Sequence, residues 1–99
     1  MKMSKTTKKL NDRLLLVLEK LTLQAKEELD GLASVSHTVQ FDLFPGSLLV
    51  NCAFDTQALL DTAKPFEKLY QKRLNNMLLK QGILLKEPKR NLKFGVKVD

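Results

Sequence analysis

Between Lys64 and Lys97 ten lysines and arginines face only Glu67 and Glu87, a net of +8. The densest run is Lys86-Glu87-Pro88-Lys89-Arg90-Asn91-Leu92-Lys93, with Lys97 following it. Cations at this density neutralise phosphates and release their counterions, so the chemistry on offer is polyanion binding. Arg73 and Lys80 join the run if the end of the helix carrying them lies close. The candidate nucleic-acid-binding set is therefore Arg73, Lys80, Lys86, Lys89, Arg90, Lys93 and Lys97. The competing reading is a solvated basic edge that discourages edge-to-edge aggregation of strands. No aromatic falls on the polar face beside these cations to stack on a base, because Phe41, Phe54, Phe94 and Phe66 all take inward positions.

The remaining chemistry-bearing residues do not converge. His37 and Cys52 are each single in the chain, too few for a zinc site. Both fall on the inner face of a predicted hairpin, and burial there would raise the thiol pKa and silence it as a nucleophile. They read as core residues, with His37 half exposed. Asp42 and Asp55 are separated by most of the same hairpin and form no obvious acid–base pair; Asp55 reads as a helix cap. Lys64, Lys68 and Lys72 repeat at i, i+4 along a solvated helix face. No catalytic constellation, metal site or cofactor-binding motif is visible, and the residues point to a non-enzymatic binding module.

These residues need elements to hold them. From Val35 to Phe54 the chain alternates with a period of two on either side of Phe44-Pro45-Gly46-Ser47, the pattern of a hairpin with one buried face. Pairing Leu43 with Leu48, Phe41 with Val50, Val39 with Cys52 and His37 with Phe54 puts both apolar sets on one side. Proline cannot enter the positive φ of a type I′ turn, so a four-residue loop from Phe44 to Ser47 is expected. Upstream, Leu10, Leu14, Val17, Leu18, Leu21, Ala25, Leu29 and Leu32 recur at helical spacing. That helix follows a short basic tail (Met1 to Thr7), is capped near Thr6 or Thr7, and stops at Gly31. The run Leu14-Leu15-Leu16-Val17-Leu18 is wide enough to be covered on more than one side.

Downstream, Asp55 or Thr56 caps a second helix. Its inner face carries Leu59, Leu60, Ala63, Phe66, Leu69, Tyr70, Leu74, Met77 and Leu78, and it is broken at Pro65, with Thr62 a cap for the restart. Gly82 ends it. Leu92, Phe94, Val96 and Val98 then alternate with Asn91, Lys93, Gly95 and Lys97 as a third strand with a buried face and a basic one. The order α-β-β-α-β predicts an α+β fold, a two-layer sandwich with helices on one face of a three-stranded sheet.

With 43% hydrophobic and 28% charged residues in 99, the chain is one globular domain rather than a disordered segment. No apolar run is long enough to span a bilayer, and the Lys-rich start lacks the apolar core of a signal peptide. With one cysteine and no internal disulfide, a cytoplasmic location is expected.

Three segments carry a resemblance: Lys5-Thr6-Thr7-Lys8-Lys9-Leu10-Asn11, Val35-Ser36-His37-Thr38-Val39, and Phe44-Pro45-Gly46-Ser47-Leu48-Leu49-Val50-Asn51-Cys52-Ala53-Phe54-Asp55-Thr56. Together they resemble a family of small proteobacterial proteins labelled Fis-family transcriptional regulators, over roughly the first sixty residues. Members of that family tend to run on into an acidic, Trp-containing tail. The resemblance implies a bacterial, transcription-regulatory role. Fis itself is all-helical with a C-terminal helix-turn-helix, whereas no recognition-helix unit is visible here. The element order also looks like that of KH-like domains, including that of DciA-type helicase loaders, without the GXXG loop of nucleic-acid-binding members. The first expectation is DNA or RNA binding through the basic C-terminal surface. The alternative is a protein partner, or a second copy of the chain, on the open sheet face around Leu49 and Ala53 and on the Phe44–Ser47 loop.

Overall fold

A computed structural model describes residues 5–97. The first helix, α1 (Lys5–Glu28), buries Leu14, Val17, Leu18, Leu21 and Ala25, the stripe its spacing demands. It takes in Lys5 to Thr7, which the sequence assigned to a tail; the rest of that tail lies outside the described residues. Leu15 and Leu16 are 45% and 47% exposed, so the wide apolar run is covered on one side only. Gly31 reverses the chain at φ +77°, and a Cβ there would run into the Leu59 side chain. Its carbonyl accepts from Asp55 N at 2.9 Å, which seats the start of the sheet against the end of the hairpin.

The sheet has three strands in the order β1-β2-β3. Strand β1 (Leu32–Thr38) runs antiparallel to β2 (Leu49–Phe54), and β3 (Leu92–Val96) runs parallel to β2. The hairpin register differs from the sequence expectation, because His37 pairs with Val50 and Val35 with Cys52. The displacement is four residues, an even number, so the buried face survives and only the partners change. The four-residue loop is replaced by a longer connection. Ser47 Oγ accepts from Gln40 N at 3.0 Å and donates to Gln40 O at 2.7 Å. That satisfies both backbone groups of Gln40 within the loop, and the chain turns into a 3-10 helix at Phe41–Leu43.

Thr56 caps α2 (Gln57–Ala63) by accepting from Leu59 N. A 3-10 turn at Lys64–Phe66 marks Pro65, and α3 (Glu67–Lys80) continues from it. Thr62 does not cap that restart; its hydroxyl donates back to Ala58 O. Gly82 follows α3 at φ +79°. The break at Pro65 rotates the helix face, so Phe66 and Leu69, expected inside, are 48% and 42% exposed. Tyr70, Leu74 and Leu78 of the same predicted face are buried. Before β3 the chain makes a single helical turn, α4 (Pro88–Asn91).

The core lies between the helices and one face of the sheet, where Val50, Cys52, Phe54, Leu92 and Phe94 meet α1 and α3. Phe94 stands at its centre, with ring centroids 5.2 Å from Phe54 and 6.1 Å from Tyr70. The fold is α+β with helices on one face, as the periodicities require. No helix among the described residues is long and apolar enough to cross a membrane.

Candidate functional site

The segment from Ile83 to Lys93 alternates between residues that fix it and residues that face water. Ile83, Leu85, Asn91 and Leu92 are buried. Asn91 Nδ2 donates to Leu48 O at 2.7 Å and to Pro45 O at 3.2 Å, tying α4 to the β1–β2 connection. Gln71, buried on α3, donates to Leu92 O at 3.0 Å and to Lys89 O at 3.4 Å. The turn of α4 is thus held from two sides by side-chain amides. Lys89 and Arg90 on the turn, Lys86 just before it and Lys93 just after it are all exposed. Glu87 is the acid within this group, with Oε2 2.7 Å from Arg90 Nε. The result is a rigid knuckle bearing four cations and one anion.

The other three candidates lie elsewhere. Arg73 faces α1, where it is ion-paired and hydrogen-bonded to Glu28 and sits 5.0 Å over the Tyr70 ring. Tyr70 also donates its hydroxyl to Glu28. The Arg73 and Tyr70 donors hold the Glu28 carboxyl below its ordinary range. Burial, then the bond to Glu28, pushes the Tyr70 hydroxyl well up. Lys80 shares with Arg73 a shallow groove lined by Gln24, Glu28, Asn76 and Met77. Lys97 is at the far end of β3, with Nζ 3.4 Å from Asp55 Oδ1. Asp55 therefore serves as an ion-pair partner, and the cap falls to Thr56. The seven candidates do not form one ledge: four share the knuckle, two the α1–α3 groove, and one the strand end.

Beside the knuckle opens a cleft of about 470 Å³. It is lined by Leu43, Phe44, Pro45 and Gly46 from the β1–β2 connection and by Leu84, Leu85, Lys86, Glu87, Arg90 and Asn91 from the segment before β3. Leu84 and Leu43, at 64% and 60%, are the most exposed large apolar residues described. Phe44 is half-buried against the core and packs on Phe41 with centroids 5.6 Å apart. An aromatic therefore does stand beside the cations, brought there by the 3-10 turn rather than by strand alternation.

Two residues of this site escaped the sequence reading. Asn91 was placed with the outward, basic set, yet it is 3% exposed. Pro88 after Glu87 is a helix-start signal; one helical turn there rotates Asn91 inward, where a strand would have turned it out. Gln71 had no signal in the sequence, since its partners are carbonyls from a distant segment. Cys52 is 1% exposed, and desolvation, with Glu67 adding to it, pushes its thiol up to about 12. Thiolate chemistry is closed to it in the native state. Among the described residues no cluster of His, Cys, Asp and Glu is suited to hold a metal ion. Comparison with family models, curated proteins and solved structures finds no match to the chain.

Proposed function

We propose that this chain is a non-enzymatic binding module that holds nucleic acid against the α4 knuckle. What carries the reading is the availability of charge. Lys86, Lys89, Arg90 and Lys93 lie on and beside one helical turn, where Glu87 pairs with Arg90, and buried Asn91 and Gln71 pin the backbone beneath them. A backbone already tied down under the cations does not have to be ordered when phosphates bind, so more of their attraction survives as affinity. Arg73, committed to Glu28 and Tyr70, is excluded from the interface, and Lys97 contributes only at the cost of its pairing with Asp55.

Binding of labelled DNA and RNA across a salt series tests this. Affinity is expected to fall linearly with salt on logarithmic axes, with a slope that counts the phosphates contacted. Lys89→Glu with Lys93→Glu is expected to abolish binding near physiological salt, while Arg73→Gln leaves it in place. No binding at low salt would remove the proposal and leave the knuckle a solubilising surface.

A further inference from the structure

The cleft and the knuckle share Lys86, Glu87, Arg90 and Asn91, so whatever the cations hold lies at the mouth of the cleft. We infer that the ligand is single-stranded nucleic acid, with an unstacked base lodged between Phe44 and Leu84 while the neighbouring phosphates rest on Lys86, Lys89, Arg90 and Lys93. This rests on the nucleic-acid reading above and specifies its substrate. A duplex presents phosphates outward and keeps its bases stacked, so it can satisfy the cations but leaves Leu43 and Leu84 in water. A single strand offers both a charged backbone and free apolar base faces, and aromatic or apolar walls beside a basic track are how such strands are held without sequence preference.

The charge pattern favours this occupant over a protein segment. Four cations within eight residues, opposed by Glu87, call for a ligand with an anion at every repeat. A base provides at one point what the cleft can accept. It has a flat apolar face for Phe44 and Leu84, and edge groups for the Arg90 guanidinium.

The test compares three fluorescent probes: a single-stranded oligonucleotide, the same strand annealed to its complement, and a single strand of abasic sites with an intact phosphodiester backbone. The single strand is expected to bind at least about fivefold more tightly than either other probe, the lower end of what one stacked base contributes. Leu84→Ser, at an exposed position that leaves the fold intact, and Phe44→Ala are expected to erase that preference by lowering single-strand affinity to the abasic level. Equal affinity for all three probes, or a preference that survives both substitutions, overturns the base in the cleft while leaving the polyanion reading standing. Failure of every probe to bind at low salt overturns both. Tighter binding of an acidic leucine-bearing peptide than of the single strand, lost in Leu84→Ser, overturns the inference in favour of a protein partner.

Discussion

Arg73 and the α4 knuckle are both basic, both in the C-terminal third, and opposite in what they can do. Arg73 is enclosed by an acid from α1 and an aromatic ring from its own helix, so its charge is consumed in joining two helices. Among the described residues no ion pair involves the knuckle's lysines. Glu28 lies 45 residues before Arg73 in the chain, and its arrival depends on how α1 crosses α3. The α3 side chains that reach the segment of Lys89 and Lys93 are Gln71, which is neutral, and Glu67, which is already engaged by Phe94 N and Lys64. A basic residue is free or spent according to what the fold brings to it, and a count of charges along a sequence does not distinguish the two.

The sharpest way to break this contrast is charge reversal at each place. Lys89→Glu with Lys93→Glu is expected to lower nucleic-acid affinity by a hundredfold or more near physiological salt, since each lost phosphate contact also flattens the salt slope by about one. The thermal midpoint should stay where it is, because surface charges of this kind contribute little to stability. If stability falls and binding persists, the knuckle is structural and the contrast fails.

Next in size is the support beneath the knuckle. Asn91→Leu keeps the branching of the side chain but leaves Leu48 O without its buried donor, and is expected to cost about 2 kcal/mol in urea unfolding. The same variant should bind nucleic acid more weakly even where it is fully folded, since α4 is no longer tied to the loop. Unchanged stability would mean that the Asn91 bonds hold nothing in place.

Smaller, and distinguished by its pH dependence, is Arg73→Gln. The folded Glu28 carboxyl titrates below its ordinary value of 4.5. Its contribution is therefore fully present above about pH 4.5 and is lost as pH falls through the lower folded value. The stability gap between wild type and Arg73→Gln should be open at neutral pH and close in acid. Tyr70 works at the other end. Its hydroxyl is raised above the ordinary 10.0, so stability should decline as pH climbs past 10, and Tyr70→Phe should flatten that limb. A gap that is constant with pH would separate Arg73 from Glu28.

Much of the fold was legible because periodicity reports on burial. The amphipathic stripe of α1, the alternation through β2 and β3, the glycine stops at Gly31 and Gly82, and the break at Pro65 each follow from local chemistry. The register of the hairpin was not legible, because any even displacement keeps the same face inside. In the register observed, the Ser47 hydroxyl holds the backbone of Gln40. Of the site, the knuckle's four cations could be named from the sequence. Their separation from Arg73 and Lys80 could not, and neither could the arrival of Phe44 beside them. Both depend on contacts between segments far apart in the chain.

The two margins of the sheet are not alike. Along β3, Gln71 donates to Leu92 O and Glu67 Oε2 accepts from Phe94 N at 2.8 Å, so side chains from α3 occupy two of the backbone groups a further strand would need. Along β1, no described strand lies beyond Leu32–Thr38. A sheet that can be extended at one margin alone can be joined once and then no more. Two copies meeting along β1 would end as a closed pair, whereas a fibre needs a second receptive margin on every subunit. By giving α3 two polar residues that reach over the last described strand, the sequence hinders pairing at that margin.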